Sequence, residues 1–236
     1  MQLPNVKKIF IFISGAFSLC VILFFVIVFP TEQKLAVQLP DQISKQEKIY
    51  HITYVKFTMI NPYVIDAAIA SQDRRFYNNL GVDLVGTVRA LYYTAVSGQR
   101  QGASTITEQL AKNVYYHDKD TPETDIQTKL LAPFITLLYS KQYILEMYLN
   151  DIYFGKQAYG IYNASMTFFK ISPKDLSLSQ SAYLMGLINV PSYFSSHTEQ
   201  AIQEADIVLE QMQSEGYITP AQVKTAETKL RAQSFF

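Results

Sequence analysis

Twenty-one positions from Ile9 to Phe29 carry no charge, and only Ser14, Gly15 and Ser18 dilute the apolar run. As a helix rising about 1.5 Å per residue, such a stretch spans about 30 Å, the thickness of one hydrocarbon core, so the pattern predicts a transmembrane helix over 9–29. The run continues unbroken to Pro30, longer than the apolar region of about 7 to 15 residues in a cleaved leader, so the segment is expected to be retained. Lys7 and Lys8 precede it and no positive charge follows until Lys34. The positive-inside rule then leaves residues 1–8 as a cytoplasmic tail and places the remainder on the outer side of the membrane. Residues 30–47 mix Gln, Lys and Pro and read as a stalk, and a β-prone piece, Ile49 to Phe57, leads into a domain over 48–236.

From Asn61 the periodicity is helical. Asn61-Pro62 supplies a cap and a proline at the first helical position. Ile65, Ala68, Ile69, Gln72 and Phe76 then recur at spacings of three and four, which puts Gln72 on the apolar face. Thr105 and Glu108 have the spacing of a capping box opening a helix with Gln109, Lys112 and Asn113. A long helical pattern runs from about Thr124 to Asn150, with Pro133 expected to kink or break it. Asp175 to Leu187 and Ala201 to Gly216 fit further helices, the latter stopped by Gly216. Leu84 to Val96, apolar apart from Arg89 and two tyrosines, fits either a core helix or a surface dipping into a membrane. No strand alternation follows residue 60, so the expected class is mostly α.

Composition narrows the function classes. With 236 residues the chain is one domain plus an anchor; 49% hydrophobic and 17% charged residues exclude disorder. Zero net charge gives no electrostatic argument for nucleic acid. The single cysteine, Cys20, lies in the apolar segment, so no intramolecular disulfide forms. His51, His117 and His197 are far apart, with no second ligand at metal spacing, so neither a metal nor a cofactor is expected. No Ser-x-x-Lys tetrad occurs, which removes penicillin-type acyl chemistry from consideration.

Four stretches share an order with a known family. Gln72-Asp73-Arg74-Arg75-Phe76 through Gly81-Val82-Asp83 comes first. Gly102-Ala103-Ser104-Thr105-Ile106-Thr107-Glu108-Gln109-Leu110-Ala111-Lys112-Asn113 comes second. Ile144 to Asn150 with Phe154-Gly155 and Gly160 is another, and Leu178 to Pro191 is the last. Over roughly residues 48 to 232 the chain resembles the peptidoglycan glycosyltransferases, found as single-function enzymes and as the first domain of class A penicillin-binding proteins. The resemblance implies a lysozyme-like helical domain behind the transmembrane helix, and lipid-linked peptidoglycan precursor as the ligand to look for. It implies a cleft with Asp73, Arg74, Ser104, Thr105, Glu108, Gln109, Lys112 and Asn113 as binding candidates. In the resembled family one glutamate deprotonates a sugar hydroxyl and a second assists the departing diphosphate; these positions hold Gln72 and Thr128. The position of the family's first-motif histidine is Asn79, and an arginine position upstream of the third motif is Asp120.

A carboxamide accepts no proton near neutral pH, and losing a general base costs about 10²- to 10⁴-fold in rate. The stretch Asp118 to Asp125 carries four acidic residues and one lysine, a field opposed to diphosphate. The sequence reading is therefore an inactive relative in the bacterial cytoplasmic membrane, a binding or scaffolding component whose partners are membrane lipid, precursor lipid and cell-wall or envelope-machine proteins. The alternative is an active glycosyltransferase whose base is displaced to Asp73, Glu108 or Glu146. Glu108 is assigned to the helix cap, and Ile144 to Asn150 to the core.

Overall fold

The computed structural model describes residues 15, 16, 18, 24–98, 102, 104–117, 119 and 121–232. The expected transmembrane span lies largely outside these, as do Asp118 and Asp120; among the described residues no helix is long and apolar enough to cross a membrane. A π-helical turn, Phe24–Val28, runs directly into helix α1, Phe29–Ile49. The residues expected to form a stalk are thus helical and packed. Ala36, Leu39 and Ile43 are buried at spacings of three and four, together with Glu32 and Gln46. Pro40 sits inside this helix and withholds the N–H that would bond the Ala36 carbonyl. The Tyr139 hydroxyl makes good the loss, donating to the Ala36 and Val37 carbonyls at 3.2 and 3.3 Å, while the Tyr115 hydroxyl donates to the Leu35 carbonyl. The proline is tolerated because two tyrosines from the domain clasp the helix beside it.

Helix α2, Pro62–Gln72, begins as the sequence indicates, with the Asn61 side chain accepting from the Tyr63 N–H at 3.0 Å. Its Val64, Ala67, Ala68, Ile69 and Ala70 are buried nearly all round, so it runs through the middle of the domain. Small side chains let it lie against both α8 (Leu178–Leu187) and α10 (Thr198–Ser214). Helix α3, Leu84–Ser97, is opened by Asp83, whose side chain accepts from the Gly86 N–H, and closed by Gly98 at φ +71°. Of its two expected placements it takes the surface: Leu84, Val85, Val88, Tyr92 and Val96 are exposed.

Helices α4 (Ile106–Tyr116), α5 (Pro122–Leu138) and α6 (Lys141–Asp151) pack on one another and on α1. The expected break at Pro133 does not occur. Helix α5 continues five residues past it and ends at Tyr139, because Ser140 adopts an extended conformation and accepts from the Tyr143 N–H to start α6. Helix α7, Gly160–Phe169, follows a tight turn. Then come a 3-10 turn at Pro173–Asp175 and α8 with a complete capping box between Ser177 and Gln180. The short α9 (Pro191–Phe194), α10, and α11 (Pro220–Ala232) complete the domain. Among the described residues β pairing is confined to one bridge, Tyr153 to Tyr159. The class is mostly α, as expected.

Candidate functional site

Two open hollows meet at Gln72 and Ser104, which line both. The larger, about 480 Å³, lies between α1, α4, α6 and the start of α9, and takes Gln109, Lys112, Asn113, His117 and Asp151 into its wall. The smaller, about 400 Å³, takes Asp73, Arg74, Arg75, Asp83, Arg89 and Thr105. Helix α2 ends at Gln72, so this side chain reaches the junction from the C-terminal end of a buried helix. There its Oε1 accepts from the Gln109 amide at 3.3 Å, and the Gln109 Oε1 accepts from the Tyr148 hydroxyl at 2.9 Å. A chain of neutral groups thus stands where the two hollows join.

The structure brings together Gln72, Ser104, Gln109, Lys112 and Asn113, as the motifs imply, and leaves Glu108 and Thr128 behind them. Thr105 caps α4 by accepting from the Glu108 N–H at 3.1 Å, but the reciprocal half of the box is not made. The Glu108 carboxylate turns instead toward α5 and pairs with Lys129 at 3.1 Å, with its other oxygen buried and unpartnered. Burial pushes its pKa up to about 7, against the lowering effect of Lys129. Thr128 is buried on α5 and its hydroxyl donates to the Asp125 carbonyl.

The other carboxylates considered as bases are committed elsewhere. Asp73 turns inward just past Gln72 and accepts from the Asn79 amide at 2.9 and 3.0 Å and from the Ile106 N–H at 3.2 Å. It therefore ties the first motif to the N-terminus of α4, where an anion is favoured. Burial raises its pKa, and these hydrogen bonds work against the rise. The Asn79 Oδ1 in turn accepts from Lys141 Nζ and the Gly81 N–H. Glu146 accepts from the Tyr54 hydroxyl at 2.9 Å and the Phe57 N–H at 2.7 Å, holding the extended entry segment to α6. The two first-motif arginines are also engaged: Arg75 forks onto Asp83 at 2.6 Å, and Arg74 lies 3.5 Å from Glu215 at the end of α10.

Among the lining residues of the larger hollow that carried no signal in the motifs are Gln46, Tyr50, Asp151, Tyr153 and Tyr159. Gln46 and Tyr50 arrive on α1, whose role depends on tertiary packing. Asp151 and Tyr159 sit at the edge of the Ile144 to Gly160 match, where adjacency to the motif was the available clue.

A transglycosylase family model matches residues 35–213. Penicillin-binding protein 1A of Aquifex aeolicus (strain VF5) is 40% identical over 179 residues, covering 75% of this chain and 25% of that protein. Penicillin-binding protein 1A of Escherichia coli (strain K12) is 39% identical over 178 residues, covering 74% and 21%. A crystal structure of penicillin-binding protein 1A from Haemophilus influenzae aligns with a TM-score of 0.47 at 21% identity, over 78% of this chain and 18% of that one. The chain belongs to the transglycosylase family, the peptidoglycan glycosyltransferases, with the family's mostly helical, lysozyme-like fold. It spans about a quarter or less of the length of these relatives.

Proposed function

We propose that the chain is a membrane-anchored, non-polymerising member of this family, a binding or scaffolding component of the bacterial cell envelope. The observation that carries the reading is the carboxamide of Gln72 at the junction of the two hollows, hydrogen-bonded to Gln109, with Asp73, Glu108 and Glu146 engaged by other groups. A carboxamide there keeps shape and hydrogen bonding while removing basicity. The open hollow lined by Ser104, Gln109, Lys112 and Asn113 is the place where lipid-linked precursor would bind without reacting. The apolar run 9–29 is the anchor, with the N-terminus in the cytoplasm and the domain outside. The exposed apolar face of α3 is the surface that meets lipid.

The test is polymerisation of purified lipid-linked disaccharide-peptide by the full chain in detergent. The parent chain is expected to form no glycan polymer. The doubly restored Gln72→Glu/Thr128→Glu chain is also expected to stay silent, because Thr124 and Asp125 on α5 still lack the cations that diphosphate departure needs. Polymer made by the parent chain sinks the reading. Binding of the precursor, weakened in Lys112→Ala, would show that the hollow retains the ligand.

A further inference from the structure

The larger hollow holds a carboxylate with no hydrogen-bond donor of its own. Asp151, the last residue of α6, lines the hollow and is 4% exposed, and neither of its oxygens accepts a hydrogen bond. Burial pushes its pKa up to about 7; the Asn113 amide lies close enough to oppose that shift, though outside hydrogen-bonding geometry. A buried carboxylate without a counter-charge costs several kcal/mol, and protonation or an external cation relieves it.

Three tyrosines line the same hollow. Tyr50, carried to the site by the C-terminus of α1, stacks on Tyr159 with ring centroids 4.1 Å apart and planes 16° apart. Tyr159 in turn lies against Tyr153 at 4.6 Å. Aromatic faces beside a carboxylate are the chemistry that holds an organic ammonium: the ring quadrupole attracts the cation and the carboxylate takes its N–H donors. Lys112 and His117 line the same hollow from α4 and its C-terminal cap, so the fit is to one ammonium group on an otherwise neutral or acidic molecule, not to a polycation.

We propose that this hollow binds a primary ammonium group, seated between Asp151 and the Tyr50, Tyr159, Tyr153 stack. The proposal deepens the reading of the cleft as a binding site and names the chemistry that it selects. An amino sugar and an amino-acid side chain both present that group.

The experiment titrates the full chain in detergent micelles by calorimetry with two amines that each carry one ammonium, a methyl glucosaminide and Nα-acetyl-lysine amide, each beside its N-acetylated counterpart. At least one amine is expected to bind saturably, with acetylation weakening it at least about tenfold, which is about 1.4 kcal/mol. Binding of the methyl glucosaminide alone assigns the amine to a glycan, and of the lysine amide alone to a peptide. Asp151→Asn is expected to abolish the preference for the amine, Tyr50→Ala to weaken binding, and Tyr50→Phe to keep it.

The lysine amide stays an ammonium between pH 6 and 8, so its affinity rises with pH as Asp151 ionises. Around Asp151, Lys112 and His117 line the same hollow, and burial keeps the Tyr148 phenol neutral. The same rise with pH is expected in His117→Gln. Asp151→Asn removes an unpaired charge and should fold; a thermal midpoint no lower than the parent's checks this. Equal affinity for amine and acetylated forms, no saturable binding of either amine, or an undiminished preference in Asp151→Asn overturns the proposal. These probes carry no lipid diphosphate, so their failure leaves the polymerisation result standing, and the reverse also holds.

Discussion

Glu108 shows how little a residue's place in a motif says about where its side chain goes. Its backbone N–H serves the Thr105 cap as the spacing implies, but the carboxylate is released into the α4–α5 interface beside Lys129. Its folded pKa, about 7, lies above the ordinary glutamate value because burial disfavours the charged form. A raised folded value contributes stability that is present below the unfolded pKa and is lost as pH rises through about 7. The loss is on the order of 3 kcal/mol for Glu108 alone. Glu108→Gln should therefore match the parent in urea unfolding at pH 5 and exceed it at pH 8. Asp151 is shifted in the same sense, so the variant should keep a weaker decline with pH. Equal stabilities of parent and variant at pH 8 would show that the ion pair with Lys129 offsets the burial of Glu108 in full.

At the scale of elements, the fold depends on two junctions that composition hides. One is α1, where Leu39 is fully buried among helices α4, α5 and α6. Leu39→Ala should cost about 2 to 5 kcal/mol in denaturant unfolding, as for core leucines generally; a cost below about 0.5 kcal/mol would return this segment to a stalk. The other is Gly81, at φ +92°, where an added Cβ would stand 2.4 Å from the Ala132 carbonyl oxygen of α5. Gly81→Ala combines left-handed strain with a backbone collision, so a loss of about 3 kcal/mol or more is expected in the same experiment. What the sequence made legible were features decided within a few residues: the Asn61-Pro62 start of α2, the Thr105 cap and the stop at Gly216. Helix α1 was not legible because its stripe of Ala36, Leu39 and Ile43 is narrow and crossed by Pro40. That proline is acceptable only because Tyr139, distant in sequence, supplies the missing donor. Pro133 misled in the opposite direction, since a proline in a helix forfeits one bond while a serine able to cap a new helix ends it. The site divides the same way. Gln72, Ser104, Gln109, Lys112 and Asn113 followed from local motifs, whereas Tyr50 and Asp151 meet only when α1 and α6 are packed.

For the whole molecule, the proposed anchor raises the question of which side of the domain would face lipid. Leu84 and Tyr92 on α3 are 73% and 72% exposed, and Val85, Val88 and Val96 extend the same apolar surface, larger than an isolated surface leucine would require. Leu80, also exposed, adjoins it through the Gly81 turn that rests on α5. If the domain is anchored as proposed, such a face lowers its free energy by lying against the bilayer, at about 25 cal/mol per Å² of apolar surface removed from water. The chain has no tryptophan, so Tyr92→Trp creates a single reporter. In vesicles of the full chain its emission should be blue-shifted and quenched by lipids brominated along the acyl chains. A Trp at Ile207, exposed on α10, serves as the reference and should be neither shifted nor quenched. Solvent-like, unquenched emission from position 92 would place α3 in water and leave its apolar face for a protein partner. Equal quenching at 92 and 207 would mean that the domain has no preferred face toward the membrane. Depth-dependent quenching at 92 alone would fix the orientation of both hollows, because Arg89 and Tyr93 of the same helix form part of the wall of the smaller one. Any ligand with a lipid tail would then reach the junction at Gln72 from the bilayer side.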